Sequence, residues 1–123
     1  MGAADGMKLL VCGGRDYIDQ DRVYSTLDRI HVKRNIRVLI EGGANGADAI
    51  ARRWAHLRGV TCATVPAQWD AHGRKAGPIR NAAMLTLGPH GVLAFPGGSG
   101  TENMKQLARD AGVTVMEVSD GGS

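Results

Sequence analysis

Aromatic residues and cysteines are scarce in this sequence. Its 123 residues include one Phe, two Tyr, two Trp and two Cys. Aliphatic residues and alanine must therefore fill the core. Cys12 and Cys62 lie within apolar runs rather than in a CxxC pair, which predicts buried free thiols in a reducing cytoplasm. No apolar run approaches the ~18 residues that a membrane span needs, so we expect no membrane contact.

Strong net charge is also absent. The formal charge is +3, with 22% charged and 43% hydrophobic residues, which suits a soluble globular core and excludes a disordered chain. The length allows one domain, predicted over residues 7–119, with disordered ends at 1–6 and 120–123. The N-terminal residues lack the basic and apolar regions of a signal peptide, so a cytoplasmic location is expected.

Metal and nucleophile signatures are missing as well. The four histidines are scattered without HxxxH or Cys/His spacing, so no metal site is predicted, and no cofactor is expected. No GxSxG elbow or Cys–His pairing indicates a covalent nucleophile.

Glycine is abundant: 18 of the 123 residues, about twice the usual ~7% share. Short apolar segments alternate with segments of helical periodicity, which predicts an α/β fold: a single Rossmann-like doubly wound domain of about five parallel strands with helices on both faces. Strands are predicted at 7–12, 37–40, 60–65, 92–95 and 113–118, and helices at 19–31, from 47 to near 59, at 78–87 and around 104–111, with a polar loop at 67–77.

Eight glycines directly follow the first, second and fourth predicted strands. In a parallel sheet the carboxyl ends of the strands share one edge, where ligands bind. The abundance of glycine thus predicts a binding site at that edge. The eight are Gly13, Gly14, Gly42, Gly43, Gly46, Gly97, Gly98 and Gly100.

The segment 96–101 (PGGSGT) lies between a strand and a helix. Glycines allow close approach of a ligand, and the start of the helix offers free N–H groups, so the segment favours phosphate. The Ser99 and Thr101 hydroxyls add possible donors. A tight turn that needs glycine only for its backbone is the simpler alternative. The segment matches neither the P-loop nor the GxGxxG pattern.

Two further segments follow strands. In residues 12–17, Arg15 suits a phosphate or carboxylate, and Asp16 suits ribose hydroxyls, although Asp16 or Asp19 capping the next helix is an equally good explanation. In residues 41–48, Glu41 directly follows a buried strand and is a candidate for hydrogen bonds to sugar or base. Asn45 is expected as the N-cap of the next helix, with Asp48 in its first turn.

The segment 68–81 brings cations together with one aromatic ring. Trp69 is a candidate for stacking on a base, with a hydrophobic plug as the alternative. Arg80 is expected near a helix start, where a cation is unfavourable, so a ligand or carboxylate partner is predicted for it. Pro78 is expected at the first helical position.

These segments resemble the SLOG superfamily of Rossmann-like proteins, and most closely its small YspA-like branch. The resemblance spans roughly residues 8–118 and rests on GGRDY at 13–17, EGGANGAD at 41–48, GPIRN at 77–81 and FPGGSGT at 95–101. It implies a nucleotide or nucleotide-derived ligand. Related members are Lonely-guy-type phosphoribohydrolases, which split nucleoside monophosphates, and DNA-uptake proteins of the DprA type. By analogy with Lonely-guy relatives, a homo-oligomer is expected.

The hydrolase motif is incomplete. Lonely-guy enzymes carry PGGxGTxxE with a catalytic glutamate, whereas Met104 stands at that position here. Glycoside cleavage needs a carboxylate near the anomeric centre. That role would fall to Glu41, Glu102 or Asp16, none of which the pattern establishes.

Three functions therefore remain open. The first is binding of a nucleotide or a nucleotide-derived ligand such as AMP or ADP-ribose. The second is N-glycosidic hydrolysis of a nucleoside 5′-monophosphate through a displaced carboxylate. The third, binding of single-stranded DNA, is disfavoured because the basic residues are dispersed and aromatic platforms are few. The predicted ligand-binding residues are Gly13, Gly14, Arg15, Asp16, Glu41, Gly42, Gly43, Asn45, Trp69, Lys75, Arg80, Asn81, Pro96, Gly97, Gly98, Ser99, Gly100 and Thr101.

Overall fold

Five short parallel strands form a single sheet in the computed structural model, which describes residues 6–119. The strands are β1 (Met7–Cys12), β2 (Ile36–Glu41), β3 (Thr61–Thr64), β4 (Gly91–Ala94) and β5 (Thr114–Glu117). The helices are α1 (Gln20–Arg34), α2 (Ala47–Arg58), α3 (Trp69–His72), α4 (Ala76–Leu85) and α5 (Ser99–Asp110), with a 3-10 turn at Gly73–Lys75. The predicted α/β Rossmann-like architecture is confirmed.

The sheet has the order β3-β2-β1-β4-β5, and every neighbouring pair is parallel. The chain extends the sheet from β1 to β3 on one side and then crosses back to add β4 on the other side of β1. The order therefore reverses between β1 and β4. The carboxyl end of this strand pair is where an open α/β sheet binds ligands.

Helices cover both faces of the sheet, as its buried central strands require. Leu9, Val11 and Leu39 face α1 and α2, where Trp54 is the largest buried side chain. The alternate residues of the same strands face α4 and α5 and pack with Met84, Met104 and Ala108. The edge strands β3 and β5 are only half-buried.

Local signals explain most helix ends. The Asp19 side chain accepts a hydrogen bond from the Arg22 backbone N–H at 3.0 Å and thereby caps α1, so capping accounts for Asp19. Asn35, with φ 50°, ends α1 by donating its backbone N–H to the His31 carbonyl. Gly59 ends α2 in the same left-handed conformation.

Three local expectations are wrong. The N-cap of α2 is Gly46 rather than Asn45, and it makes no side-chain hydrogen bond. Glycine is required there because Gly46 has φ +70° and a Cβ would lie 2.2 Å from the Gly14 carbonyl oxygen.

The segment 67–77 is not a simple loop. It contains α3 and the 3-10 turn, and α4 already begins at Ala76. Pro78 is thus the third residue of α4 rather than the first. Proline is tolerated there because the first four N–H groups of a helix have no partner within the helix.

The predicted disordered ends lie outside the described residues except for Gly6, which is buried. None of the helices between residues 6 and 119 has the length and apolar character needed to cross a membrane.

Candidate functional site

A cleft of about 500 Å³ opens at the carboxyl ends of β1 and β4, where the strand order reverses. Its volume is within the range of small-molecule sites. The walls come from the turns after β1 and β4, the starts of α2 and α5, and the segment that includes α3 and α4. The lining residues are Cys12, Gly13, Gly14, Arg15, Ala44, Asp48, Trp69, Arg74, Gly77, Pro78, Arg80, Asn81, Met84, Gly98, Ser99, Gly100, Thr101 and Asn103.

The start of α5 forms one wall of the cleft. Its N-cap, Gly98, has no side chain to accept a hydrogen bond, and no other side chain between residues 6 and 119 accepts one from the N–H groups of the first turn. A Cβ built at Gly98 or Gly100 would meet nothing within 4 Å, and neither residue has a positive φ. Neither a steric contact nor a positive φ requires glycine at these two positions, and both residues line the cleft at the start of the helix.

Other glycines of the edge are needed for packing. The Gly14 N–H donates to the Pro96 carbonyl at 2.8 Å, which ties the turn after β1 to the turn after β4. A Cβ at Gly13 would lie 2.6 Å from the Ala47 Cβ, and one at Gly97 would lie 2.2 Å from the Thr101 Oγ1. The eight edge glycines therefore divide into those that the fold requires and the two at the start of α5.

Three arginines line the cleft. Arg15 and Arg74 are exposed and form no ion pair with any residue between 6 and 119. Arg80 donates to the Gly42 carbonyl oxygen and, through Nε, to the Asn81 Oδ1 at 2.9 Å. Its partners are thus neutral oxygens, and of the two predicted kinds of partner, a ligand or a carboxylate, the described residues supply no carboxylate. Lys75 is exposed and does not line the cleft.

Asn81 connects the two helices on this side of the sheet. Its amide Nδ2 donates to the Gly100 carbonyl at 3.1 Å and to the Asn103 Oδ1 at 2.9 Å, while its Oδ1 accepts from Arg80. The side chain is almost fully buried. Asn81 therefore fixes the start of α5 against α4 and so shapes the cleft.

Asp48 contributes the carboxyl group of the cleft. Its side chain is 5% exposed, and Oδ2 accepts from the backbone N–H groups of Gly42, at 3.1 Å, and Ala44, at 3.3 Å. Burial raises its pKa to about 6, the neighbouring Glu41 charge adds to this, and the two N–H donors and Arg80 oppose it. From the sequence, Asp48 is expected only to interact with the dipole of α2.

The three carboxylates predicted as catalytic candidates lie outside the cleft lining. Glu41 faces α2 and is fully buried, and it accepts from the Gly43 N–H at 2.6 Å, Arg52 at 3.2 Å, the Thr64 hydroxyl and the Cys62 thiol.

Glu102 is exposed and pairs with Lys105 at 2.7 Å, while Asp16 is exposed on the turn after β1. Met104, at the position of the missing glutamate, is fully buried in the core.

Trp69 lies on α3 with half of its surface exposed, and it lines the cleft next to Gly77. It is therefore not a hydrophobic plug in the core. Cys12 forms part of the floor, where burial raises the pKa of its thiol to about 12. A thiol with such a raised pKa is protonated at neutral pH.

The structure thus brings together about half of the predicted ligand-binding residues. Gly13, Gly14, Arg15, Trp69, Arg80, Asn81, Gly98, Ser99, Gly100 and Thr101 line the cleft. Asp16, Glu41, Gly42, Gly43, Asn45, Lys75, Pro96 and Gly97 do not.

Sequence reasoning missed Cys12, Ala44, Asp48, Arg74, Gly77, Pro78, Met84 and Asn103. Of these, Asp48 carried a usable signal, because its carboxylate is adjacent to a glycine-rich turn at the predicted edge. Within residues 6–119, no group of three or more His, Cys, Asp or Glu side chains is placed to hold a metal ion.

Comparisons with known proteins identify similar sequences. The model of the YspA, cpYpsA-related SLOG family matches residues 7–72, which run from β1 to α3. The gene 61 protein of Mycobacterium phage D29 is 38% identical over 121 residues, covering 92% of this chain and 97% of that protein. No solved structure matches the chain at a significant level.

Proposed function

The chain belongs to the YspA, cpYpsA-related SLOG family, and we propose that its cleft binds a nucleotide or nucleotide-derived molecule. Membership of this family indicates a nucleotide-related ligand. We propose further that the start of α5 holds the phosphate of this ligand. AMP and ADP-ribose represent this ligand class. The proposal concerns binding, since the three carboxylates considered for catalysis lie outside the cleft.

The observation that supports the proposal is the open start of α5. Gly98 and Gly100 have empty space where a side chain would be, although the backbone does not require glycine at either position. The N-terminus of a helix carries a partial positive charge and unpaired N–H donors, which stabilise a phosphate. The lack of side chains allows the phosphate oxygens to reach these donors.

The charges around the helix start favour the same ligand. Arg15 and Arg74 line the cleft without an ion pair among the described residues, so both guanidinium groups remain available to an anion. A guanidinium fork binds phosphate through two parallel hydrogen bonds. The Thr101 hydroxyl is a further donor next to the helix start.

Isothermal titration calorimetry with AMP and ADP-ribose tests the proposal, with the Gly100→Ala variant as the decisive comparison. A methyl group at this position intrudes on the proposed phosphate site, and we expect a loss of affinity of 10-fold or more. The same change should keep or raise the melting temperature, because alanine favours a helix by up to about 1 kcal/mol over glycine.

Ser25→Ala is the matched control, since it improves helix propensity on the exposed face of α1, away from the cleft. It should leave affinity unchanged. If the parent protein binds neither ligand at millimolar concentration, or if Gly100→Ala binds as well as the parent, the proposal is wrong.

A further inference from the structure

Asp48 has one carboxylate oxygen that the fold does not use. Oδ2 accepts the two backbone N–H groups of the turn after β2, whereas no residue between 6 and 119 donates to Oδ1. Although Asp48 is only 5% exposed, Oδ1 is not among the side-chain atoms that are both fully buried and without a hydrogen-bond partner, so it is accessible to solvent. Since Asp48 lines the cleft, this free acceptor faces the space where a ligand would lie.

The position of Asp48 along the sheet edge indicates which part of a nucleotide it would meet. Trp69 follows β3, Asp48 follows β2, and the start of α5 follows β4, while the sheet order is β3-β2-β1-β4. By strand order, the end of β2 that precedes Asp48 is therefore between the end of β3 that precedes Trp69 and the end of β4 that precedes α5. A nucleotide carries its sugar between its base and its phosphate.

Strand spacing supports this assignment. β2 and β4 lie on either side of β1, so the elements that follow them are separated by about two strand spacings, roughly 10 Å. A 5′-nucleotide whose phosphate is bound at α5 places its ribose within that span. The ribose hydroxyls are neutral hydrogen-bond donors, and a carboxylate is an acceptor that binds such donors strongly.

We propose that the free Oδ1 of Asp48 accepts a hydrogen bond from a ribose hydroxyl of the ligand, and that Asp48 thereby selects ribose over deoxyribose at this cleft. This inference rests on the proposed nucleotide binding and assigns a residue for its sugar specificity. A ligand cation is a poorer partner for Asp48 because three arginines already line the cleft.

Asp48→Asn is a sharp test because it can keep the fold. The Asn oxygen can replace Oδ2 as the acceptor for the Gly42 and Ala44 N–H groups. Its NH2 group then occupies the place of Oδ1, so that an acceptor becomes a donor. Asp110→Asn, at the far end of α5, is the matched control that removes one negative charge outside the cleft.

The experiment is calorimetry at pH 7.5 with AMP, 2′-deoxy-AMP, 3′-deoxy-AMP and inorganic pyrophosphate. For the parent and for Asp110→Asn, we expect one of the two deoxy-nucleotides to bind about 10- to 100-fold more weakly than AMP. This is the usual cost of losing a hydrogen bond to a charged group. For Asp48→Asn, AMP and the deoxy-nucleotides should bind with similar affinity, because the coupling between the hydroxyl and the carboxylate is gone. Pyrophosphate should bind Asp48→Asn at least as well as the parent.

The possible results separate this inference from the proposed function. If the parent binds AMP and both deoxy-nucleotides equally, or if Asp48→Asn keeps the parent's preference, the role of Asp48 is wrong while phosphate binding stands. If the parent binds neither AMP nor ADP-ribose at millimolar concentration, the proposed function fails and the inference fails with it. Release of free adenine from AMP that is abolished in Asp48→Asn would assign Asp48 to bond cleavage and overturn selection by binding.

Discussion

Substitution of Glu41 separates a structural carboxylate from a functional one. In Glu41→Gln, the remaining oxygen can keep the Gly43 N–H and Arg52 as donors, and the Thr64 hydroxyl can rotate to accept from the new NH2 group. What is lost is the negative charge. Charge-assisted hydrogen bonds contribute about 1 kcal/mol more than neutral ones, and the share from the half-exposed Arg52 is reduced by solvent.

The expected cost of Glu41→Gln is therefore about 1–2 kcal/mol of unfolding free energy, or a melting temperature roughly 4–8 °C lower for a domain of this size. Glu41→Ala should cost more, about 4 kcal/mol, because it leaves several buried donors without an acceptor. Affinity for AMP should stay within twofold of the parent in Glu41→Gln, since Glu41 does not line the cleft.

Urea unfolding followed by circular dichroism measures the first effect, and calorimetry measures the second. Glu117→Gln is the control, because Glu117 is an exposed carboxylate in a surface ion pair and its loss should change stability little. The reasoning is refuted if Glu41→Gln is as stable as the parent but has lost its affinity for AMP. That result would place Glu41 in the binding site after all.

Three further predictions concern the cleft. Asp48→Asn should become more stable relative to the parent as pH rises from 4 to 7, by up to about 3 kcal/mol in urea unfolding. The reason is that the Asp48 carboxyl has a pKa of about 6 in the folded parent and about 3.9 in the unfolded chain, so the parent loses stability as pH rises through this range. A stability difference that does not change with pH would contradict this. Cys12, whose thiol pKa burial raises to about 12, should resist iodoacetamide at pH 8 in the native protein and react after unfolding, as mass spectrometry would detect. Trp69→Ala should weaken AMP binding by about 1–3 kcal/mol with little change in melting temperature, because the ring is half-exposed; unchanged affinity would exclude stacking.

The architecture could be predicted from the sequence because its signals are local. The central strands are continuous apolar runs that alternate with helical segments, a pattern typical of a parallel sheet covered by helices on both faces. Helix ends marked by a characteristic residue were predicted well, such as the end of α2 at Gly59. The start of α4 was not, because proline at 78 is compatible with several positions in a first turn and only packing decides among them.

The site was predicted less completely because side-chain direction depends on alternation along a strand. Glu41 shares its face with Leu39, which packs toward α1 and α2, so its carboxylate turns away from the cleft to Arg52 and Thr64. Asp48 lies seven residues later, yet its carboxylate reaches back to the turn and lines the cleft. Which of two nearby carboxylates faces a ligand follows from the tertiary structure and not from their distance to the glycines.

The glycines illustrate why abundance alone does not define a binding site. Gly46 is fixed by its positive φ and by the Gly14 carbonyl, and Gly97 by the Thr101 side chain, so substitutions there would damage the fold whatever the ligand. Gly98 and Gly100 are different, because a Cβ at either position would meet no atom within 4 Å. Between residues 6 and 119 no side chain accepts a hydrogen bond from the first turn of α5, and this open helix start is the basis of the proposed phosphate site. The proposal of a phosphate-bearing ligand therefore depends on these two positions rather than on the 18 glycines together.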